Sequence, residues 1–316
     1  MEASPLFLCR ANGKLLLTGE YLVLDGALAL AVPTRYGQTL EIYPTNAENT
    51  LHWQSIDHEG NCWFEAWFSR SDYSISQTSD PRTAVRLLQL LNACRVLNPD
   101  FLTEKIDLRV VTKLDFPNNW GLGTSSTLVH CLSKWAGIDQ FKLLEKTFGG
   151  SGYDLACASA NGPVFYQIGE KGPGWTVATL SPGFKNQIYF VFLEQKQNSR
   201  EGIKHYRELG TPKKDLIETV SAYAKAMDTA NSLSEFNHII NKHESVLANV
   251  LKITPVKQKS FPDYWGSIKS LGAWGGDFVM VTSERSKEET EAYFKNKGYQ
   301  TILSYTEMVL SEPAAV

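Results

Sequence analysis

Short apolar and alternating runs dominate residues 15–68: LLL, ALALAV, QTLEIY and CWFEAWF, with Gly, Asn and Asp between them. Such runs predict strands. Ser79-Asp80-Pro81 then opens a helix, because Asp80 can cap it and Pro81 suits the first helical position. Val85, Leu88, Leu91 and Val96 supply its apolar stripe, which ends at Asn98-Pro99. Residues 105–114, KIDLRVVTKL, predict another strand. A Gly-rich turn precedes a second helix over 124–136, with Leu128, Leu132 and Trp135 on one face. A third helix, over 152–160, follows Gly149-Gly150-Ser151-Gly152 and stops at Asn161-Gly162, before the strand PVFYQI. Residues 171–186, with three Gly and two Pro, suggest a domain boundary. Beyond them the pattern predicts the strand QIYFVFL, two helices over 213–251, the strand FVMVTS after a glycine cluster, and an amphipathic helix over 286–297. Strands and helices mix without strict βαβ alternation, so the expected class is α+β. No internal repeat or low-complexity tract is visible.

Composition narrows the class of function. At roughly 150 residues per domain, 316 residues suit two domains or one large one. A chain 43% hydrophobic and 21% charged is not disordered, and 23 Gly and 13 Pro without a period are not collagen-like. A net charge of −3 provides no basic field for nucleic acid or acidic lipid. The five cysteines, Cys9, Cys62, Cys94, Cys131 and Cys157, never form a CxxC pair, which favours reduced thiols filling the core over a disulfide framework or a zinc site. The start, MEASPLFLCRANGK, has too short an apolar stretch for a signal peptide, and no run reaches the 18 apolar residues of a membrane span. The expectation is a soluble cytoplasmic protein, monomer or homodimer, acting on a small molecule.

The chemistry-bearing candidates fall in a few segments. Trp120-Gly121-Leu122-Gly123-Thr124-Ser125-Ser126 places glycines and hydroxyls before a helix. That arrangement suits either a phosphate cradle or a tight turn with a Ser/Thr cap. A dinucleotide reading is weakened because Ser126 replaces the last glycine of G-x-G-x-x-G. Lys14, at the edge of an apolar strand, and Glu20, in the following turn, suit a polar cleft or a solvated edge. Asp154 stands in the first turn of a helix, as a general base or as a partner of the helix dipole. Leu271-Gly272-Ala273-Trp274-Gly275-Gly276-Asp277 is a turn at a strand mouth, able to wrap phosphates or simply to bulge. The chain has no Walker A sequence, no protein-kinase lysine and H-R-D set and no G-x-S-x-G elbow, and its six histidines lack ligand spacing.

Taken in order over residues 13–277, these segments resemble the GHMP kinase superfamily of small-molecule ATP-dependent kinases. Gly13-Lys14 through Gly26 is similar to its first motif. PNNWGLGTSST, residues 117–127, resembles its phosphate loop, usually P-x-x-x-G-L-G-S-S-A. Residues 272–277 look like a worn third motif, usually G-A-G-G-G. Gly19-Glu20-Tyr21 and Gly275-Gly276-Asp277 resemble the phosphomevalonate kinase branch, and Gly152-Tyr153-Asp154-Leu155-Ala156 resembles a bacterial subgroup marked by G-Y-D-I-A.

The resemblance implies an α+β fold: an N-terminal ribosomal-S5-like, ATP-binding domain over 1–180 and a C-terminal ferredoxin-like domain over 181–316. It implies Asp154 as the catalytic base and Lys14 as the cation that lowers the hydroxyl pKa or steadies the transferred phosphoryl group. Gly121, Leu122, Gly123, Thr124, Ser125 and Ser126 would hold ATP, with Ser125 a ligand of Mg2+. Glu20, Tyr21, Lys196, Ser199 and Arg200 would line an acidic acceptor's pocket, 5-phosphomevalonate of the isoprenoid mevalonate pathway being the first choice. Mevalonate kinase, another hydroxy-acid or sugar kinase, diphosphomevalonate decarboxylase and a non-catalytic ligand sensor are the alternatives. Two departures stand out. Trp274 replaces a motif glycine, which restricts backbone approach to phosphates there, and the second acidic magnesium ligand has only Glu20 and Glu194 as candidates.

Overall fold

The computed structural model describes residues 4–45, 49–103, 106–195, 199–274 and 277–311, except for the side chains at 199 and 200. The chain divides into two compact units. The first comprises Met1–Gly13, Tyr36–Asn118 and Gly123–Ser159; the second comprises Lys14–Arg35, Asn119–Leu122 and Ala160–Val316.

In the first unit, the predicted alternation becomes a mixed sheet. Strands β1 (Phe7–Thr18) and β2 (Ala29–Pro44) pair with each other and both run from one unit into the other, while β3 (Thr50–Ile56), β4 (Cys62–Ser69) and β5 (Ile75–Thr78) follow. Helix α1 (Pro81–Leu97) leads to β6 (Leu108–Leu114), and the strand order is β5-β4-β3-β6-β2. The β3–β6 pair is parallel and the others antiparallel. Every second residue of β3 is buried, so Leu51 and Trp53 face inward with Leu40, Phe64 and Val110. Helices α1, α2 (Thr124–Ala136), α3 (Gln140–Thr147) and α4 (Tyr153–Ser159) complete the unit.

Helix α1 starts as its sequence dictates, with Asp80 accepting from the Arg82 and Thr83 N–H groups and Pro81 in the first turn. Its buried stripe differs from the expected one. Ala84, Leu87, Leu90, Leu91 and Cys94 face the core, while Val85 and Val96 are exposed. The former set lies on one helix face at three- and four-residue spacings and offers more contiguous apolar surface.

In the second unit, β7 (Val164–Gly169) pairs with the first part of β2 and with β8 (Gly172–Val177). Residues 171–186, read above as a boundary, thus contain a strand; its Gly, Pro and solvent-facing residues disguise it. Then come β9 (Ile188–Phe192), α5 (Ser199–Glu208), α6 (Lys214–Thr229), α7 (Leu233–Leu251), α8 (Val256–Ser260), β10 (Ile268–Ser270), β11 (Phe278–Thr282), α9 (Lys287–Asn296), β12 (Ile302–Ser304) and α10 (Tyr305–Met308). The order β10-β11-β9-β12, antiparallel throughout, is the ferredoxin-like arrangement with several helices in its first crossover. All residues of β9 and β11 are buried, which explains their unbroken apolar runs.

Of the cysteines, Cys94, Cys131 and Cys157 are buried, whereas Cys9 is half-buried and Cys62 exposed, so core filling does not describe all five; all are free thiols. Among the described residues no helix is long and apolar enough to cross a membrane.

Candidate active site

The first unit holds the helix end. Gly123 precedes α2 with φ at 93°, a left-handed backbone that favours glycine, and no side chain caps the helix. The N–H groups of Ser126 and Thr127 both return to the Gly123 carbonyl at 3.0 Å. Those of Thr124 and Ser125 lie beyond the reach of intrahelical bonding, and with the helix dipole they make a site that favours an anion. Ser125 is exposed and Thr124 half-exposed.

Ser126 is buried and turns its hydroxyl elsewhere, donating to Asp154 Oδ2 at 3.1 Å. Asp154 is half-buried in the first turn of α4. A carboxylate held in this way is chemically able to accept a proton. Thr124 and Ser125 also border a cavity of about 430 Å³ within this unit, walled by Trp53, Trp63, Phe64 and Phe148. That size and aromatic character suit a small organic ligand. Arg86 lies over the Phe148 ring, 5.1 Å from its centroid.

The second unit holds Lys14 and the first part of the loop. Lys14 Nζ donates to the Gly121 carbonyl at 3.0 Å, and its backbone N–H donates to the Leu122 carbonyl at 3.0 Å. Gly121 has φ at 68°, and a Cβ there would collide with the Asp277 carboxylate. Glycine is therefore required twice over, by conformation and by space. Leu122 is fully buried. In the sequence Asp277 stands out only as the end of the Gly275-Gly276-Asp277 motif.

Other expected residues go elsewhere. Glu20, expected to meet substrate or magnesium, is fully buried and bonded to Lys269. Lys269 also lies 3.1 Å from Glu244 Oε1, while His243 Nε2 accepts from Gly19 N–H at 3.3 Å and lies 3.6 Å from Glu20 Oε2. Burial raises the Glu20 pKa to about 7, with Lys269 opposing and Glu244 reinforcing the rise. Burial and the nearby Lys269 cation hold His243 well below its usual range, so His243 and Glu20 are not an ion pair. Lys269 stays charged because Glu20 and Glu244 outweigh its own desolvation.

Tyr21, also expected at substrate, is buried too: its hydroxyl donates to the Ala273 carbonyl at 3.0 Å and its ring stacks on Tyr206. Burial of both groups follows from the tight, φ-positive turn at Gly19 and Tyr21, which folds them back into the unit. Glu194 is exposed, with φ at 57°. Lys196 lies outside the described residues, as do Gly275 and Gly276 and the side chains of Ser199 and Arg200, which head α5. Trp274 takes up φ at 54° and buries its indole among Leu22, Tyr206, Leu247 and Leu251. Among the described residues no group of three or more His, Cys, Asp and Glu side chains could hold a metal ion.

No family model matches the chain, and no curated protein does. Solved structures do match. Phosphomevalonate kinase from Streptococcus pneumoniae, in complex with phosphomevalonate and AMPPNP, aligns with a TM-score of 0.69 at 15% identity, over 95% of this chain and 100% of that one. Mevalonate kinase from Methanococcus jannaschii gives 0.68 at 13% identity, over 99% and 100%. Galactokinase from Lactococcus lactis, complexed with galactose, gives 0.66 at 12% identity, over 98% and 95%. The chain has the α+β fold of the GHMP kinases, and each of these neighbours is a kinase.

Proposed function

We propose that this protein is an ATP-dependent kinase that transfers the γ-phosphoryl group to a small acidic acceptor, with 5-phosphomevalonate the first candidate. The observation that carries the reading is the Ser126–Asp154 hydrogen bond, which fixes a carboxylate next to the uncapped start of α2. The aromatic cavity beside Thr124 and Ser125 suits the nucleoside, and the helix end suits the phosphates. Mg2+ would enter with ATP and find an oxygen on Ser125, where it would neutralise developing phosphate charge. Lys14 contributes positive charge at the phosphate loop through its bond to Gly121. Asp154 accepts the acceptor's hydroxyl proton. The acceptor is drawn from the fold's neighbours, one of which was solved with phosphomevalonate.

Release of ADP from Mg-ATP should be measured against mevalonate, 5-phosphomevalonate, 5-diphosphomevalonate and several sugars. The expected result is turnover on 5-phosphomevalonate without CO₂ release, lowered about 10²–10⁴-fold in Asp154→Asn. Turnover on another acceptor would replace the substrate and keep the mechanism. Turnover independent of Asp154 would overturn its role as the base, and none on any acceptor would overturn the kinase reading.

A further inference from the structure

A cluster of reactive side chains that the proposed function does not use lies in the first unit, where β1 meets α2. Alternation along β1 turns Leu8 and Arg10 outward and Cys9 inward, with Phe7 and Ala11 on the same face. Cys9 stays partly open to solvent. Facing it from α2 are His130 and Cys131, 3% and 0% exposed. Cys131 Sγ lies 3.8 Å from the Cys9 carbonyl oxygen, and the two thiols share a hydrogen bond. The His130 ring hydrogen-bonds the Cys9 thiol as well. The contact that Cys9 makes as a donor, to the Arg10 carbonyl at 3.9 Å, is long, so little holds its proton there.

The histidine is oriented from behind. Its Nδ1 lies 2.6 Å from Gln140 Oε1, and Gln140 Nε2 donates to the Leu155 carbonyl at 3.5 Å, which sets the carboxamide with its oxygen towards the ring. Nδ1 therefore carries the ring proton, and Nε2 keeps a lone pair for the proton of Cys9. Nucleophile, base and orienting group stand in the order that activates a thiol. Lys134, one turn further along α2, adds positive charge, while Arg10 of β1 turns away to Asp115, 2.7 Å distant. The Cys131 hydrogen bond acts against burial, and with the bond from His130 and the charges of His130 and Lys134 it lowers the Cys9 pKa to about 5. Cys131, which gives that bond and is buried, is held above its usual range. Negative charge thus falls on the one thiol of the pair that solvent reaches.

We propose that Cys9 is a modification site: a nucleophilic thiol, with His130 as its proton acceptor and Gln140 orienting the ring, that exchanges with small disulfides. The Cys9 sulfur attacks one sulfur of a disulfide R–S–S–R. The S–S bond breaks, and RS⁻ leaves with its electron pair and takes the proton from His130. Cys9 ends as the mixed disulfide Cys9–S–S–R, its sulfur oxidised and the departing sulfur reduced.

The native protein, treated with iodoacetamide from pH 6 to 8 and followed by peptide mass spectrometry, tests this. Cys62 is the internal reference, an exposed thiol that burial and Glu65 hold above its usual range. The Cys9 rate should rise less than about tenfold over that interval, whereas an ordinary thiol rises roughly 70-fold. Cys131→Ala should steepen the Cys9 profile, and Cys131→Ser, which keeps a donor, should leave it shallow. Loosened packing alone would speed labelling in both variants without changing its dependence on pH. With 2-hydroxyethyl disulfide at pH 6.5, Cys9 should gain the mixed disulfide ahead of Cys62. An internal Cys9–Cys131 disulfide in its place would support the same first step, since Cys131 is buried and the reagent meets Cys9. A Cys9 rate that rises tenfold or more, or exchange at Cys62 ahead of Cys9, would overturn the proposal.

Discussion

At the scale of single residues, Trp274 sets backbone strain against burial. Its φ of 54° lies in the left-handed region, where a bulky residue carries roughly 1–2 kcal/mol of strain that glycine would not. Its ring is nevertheless only 3% exposed in a cluster with Tyr21, Leu22 and Tyr206, and removing a buried tryptophan typically destabilises by about 3–5 kcal/mol. Packing is the larger effect. Trp274→Gly is therefore expected to lower stability by roughly 1–4 kcal/mol in urea denaturation, although it restores the usual motif residue. The indole Nε1 is buried with no hydrogen-bond partner among the described residues, so Trp274→Phe, which deletes that donor and keeps an aromatic ring, should lose about 1 kcal/mol or less. A gain in stability for the glycine variant would show that strain outweighs packing.

At the scale of elements, α2 is where local sequence and function coincide. Its span of Thr124–Ala136 matches the span read from the sequence, because glycines at φ 93° and 64° punctuate both ends. Ser126, in its first turn, donates its hydroxyl to Asp154, so on the proposed function it acts through that carboxylate and not on the nucleotide. Ser126→Ala should reduce kcat about 10–100-fold, the range for a hydrogen bond to a charged group, with the KM for ATP within about twofold. A raised KM with unchanged kcat would assign the hydroxyl to ATP instead. Other elements were less legible. Strands β10 and β12 are three residues long and owe their pairing to β11 and β9, so no local period announces them. Helix α5 buries little and carries mostly polar residues, so no apolar stripe marks it in the sequence. The polar lining of the cavity was hidden for a different reason. Gln38, Ser55 and Thr112 look like ordinary outward-facing strand residues until their burial shows that they face inward and line it.

At the scale of the whole molecule, the buried charges of the second unit govern how stability responds to pH. Glu20 and Lys269 are 249 residues apart in sequence, which is why Glu20 read as a turn or substrate residue before the fold brought its partner in. Two carboxyls, Glu20 and Glu244, share one buried ammonium, and burial pushes both carboxyls above their ordinary range. Glu20 moves from 4.5 to about 7, so the folded protein keeps a proton that the unfolded chain has already released. The stabilisation this proton provides is complete below about pH 4.5 and is lost as pH rises through about 7, a change of about 3 kcal/mol at 1.36 kcal/mol per unit. Glu41 works in the opposite sense: burial would raise it, but hydrogen bonds from Lys113 and Tyr43 hold it below its ordinary value, and its contribution is lost as pH falls. Stability should therefore peak on the acid side of neutrality. Urea midpoints measured from pH 4.5 to 8 should fall across the upper part of that range in the wild type. Glu20→Gln cannot release a proton and keeps an amide beside Lys269, so its midpoint should change much less over the same interval. An equally steep fall in the variant would locate the titrating group elsewhere and reduce the Glu20–Lys269 contact to a pH-independent pair.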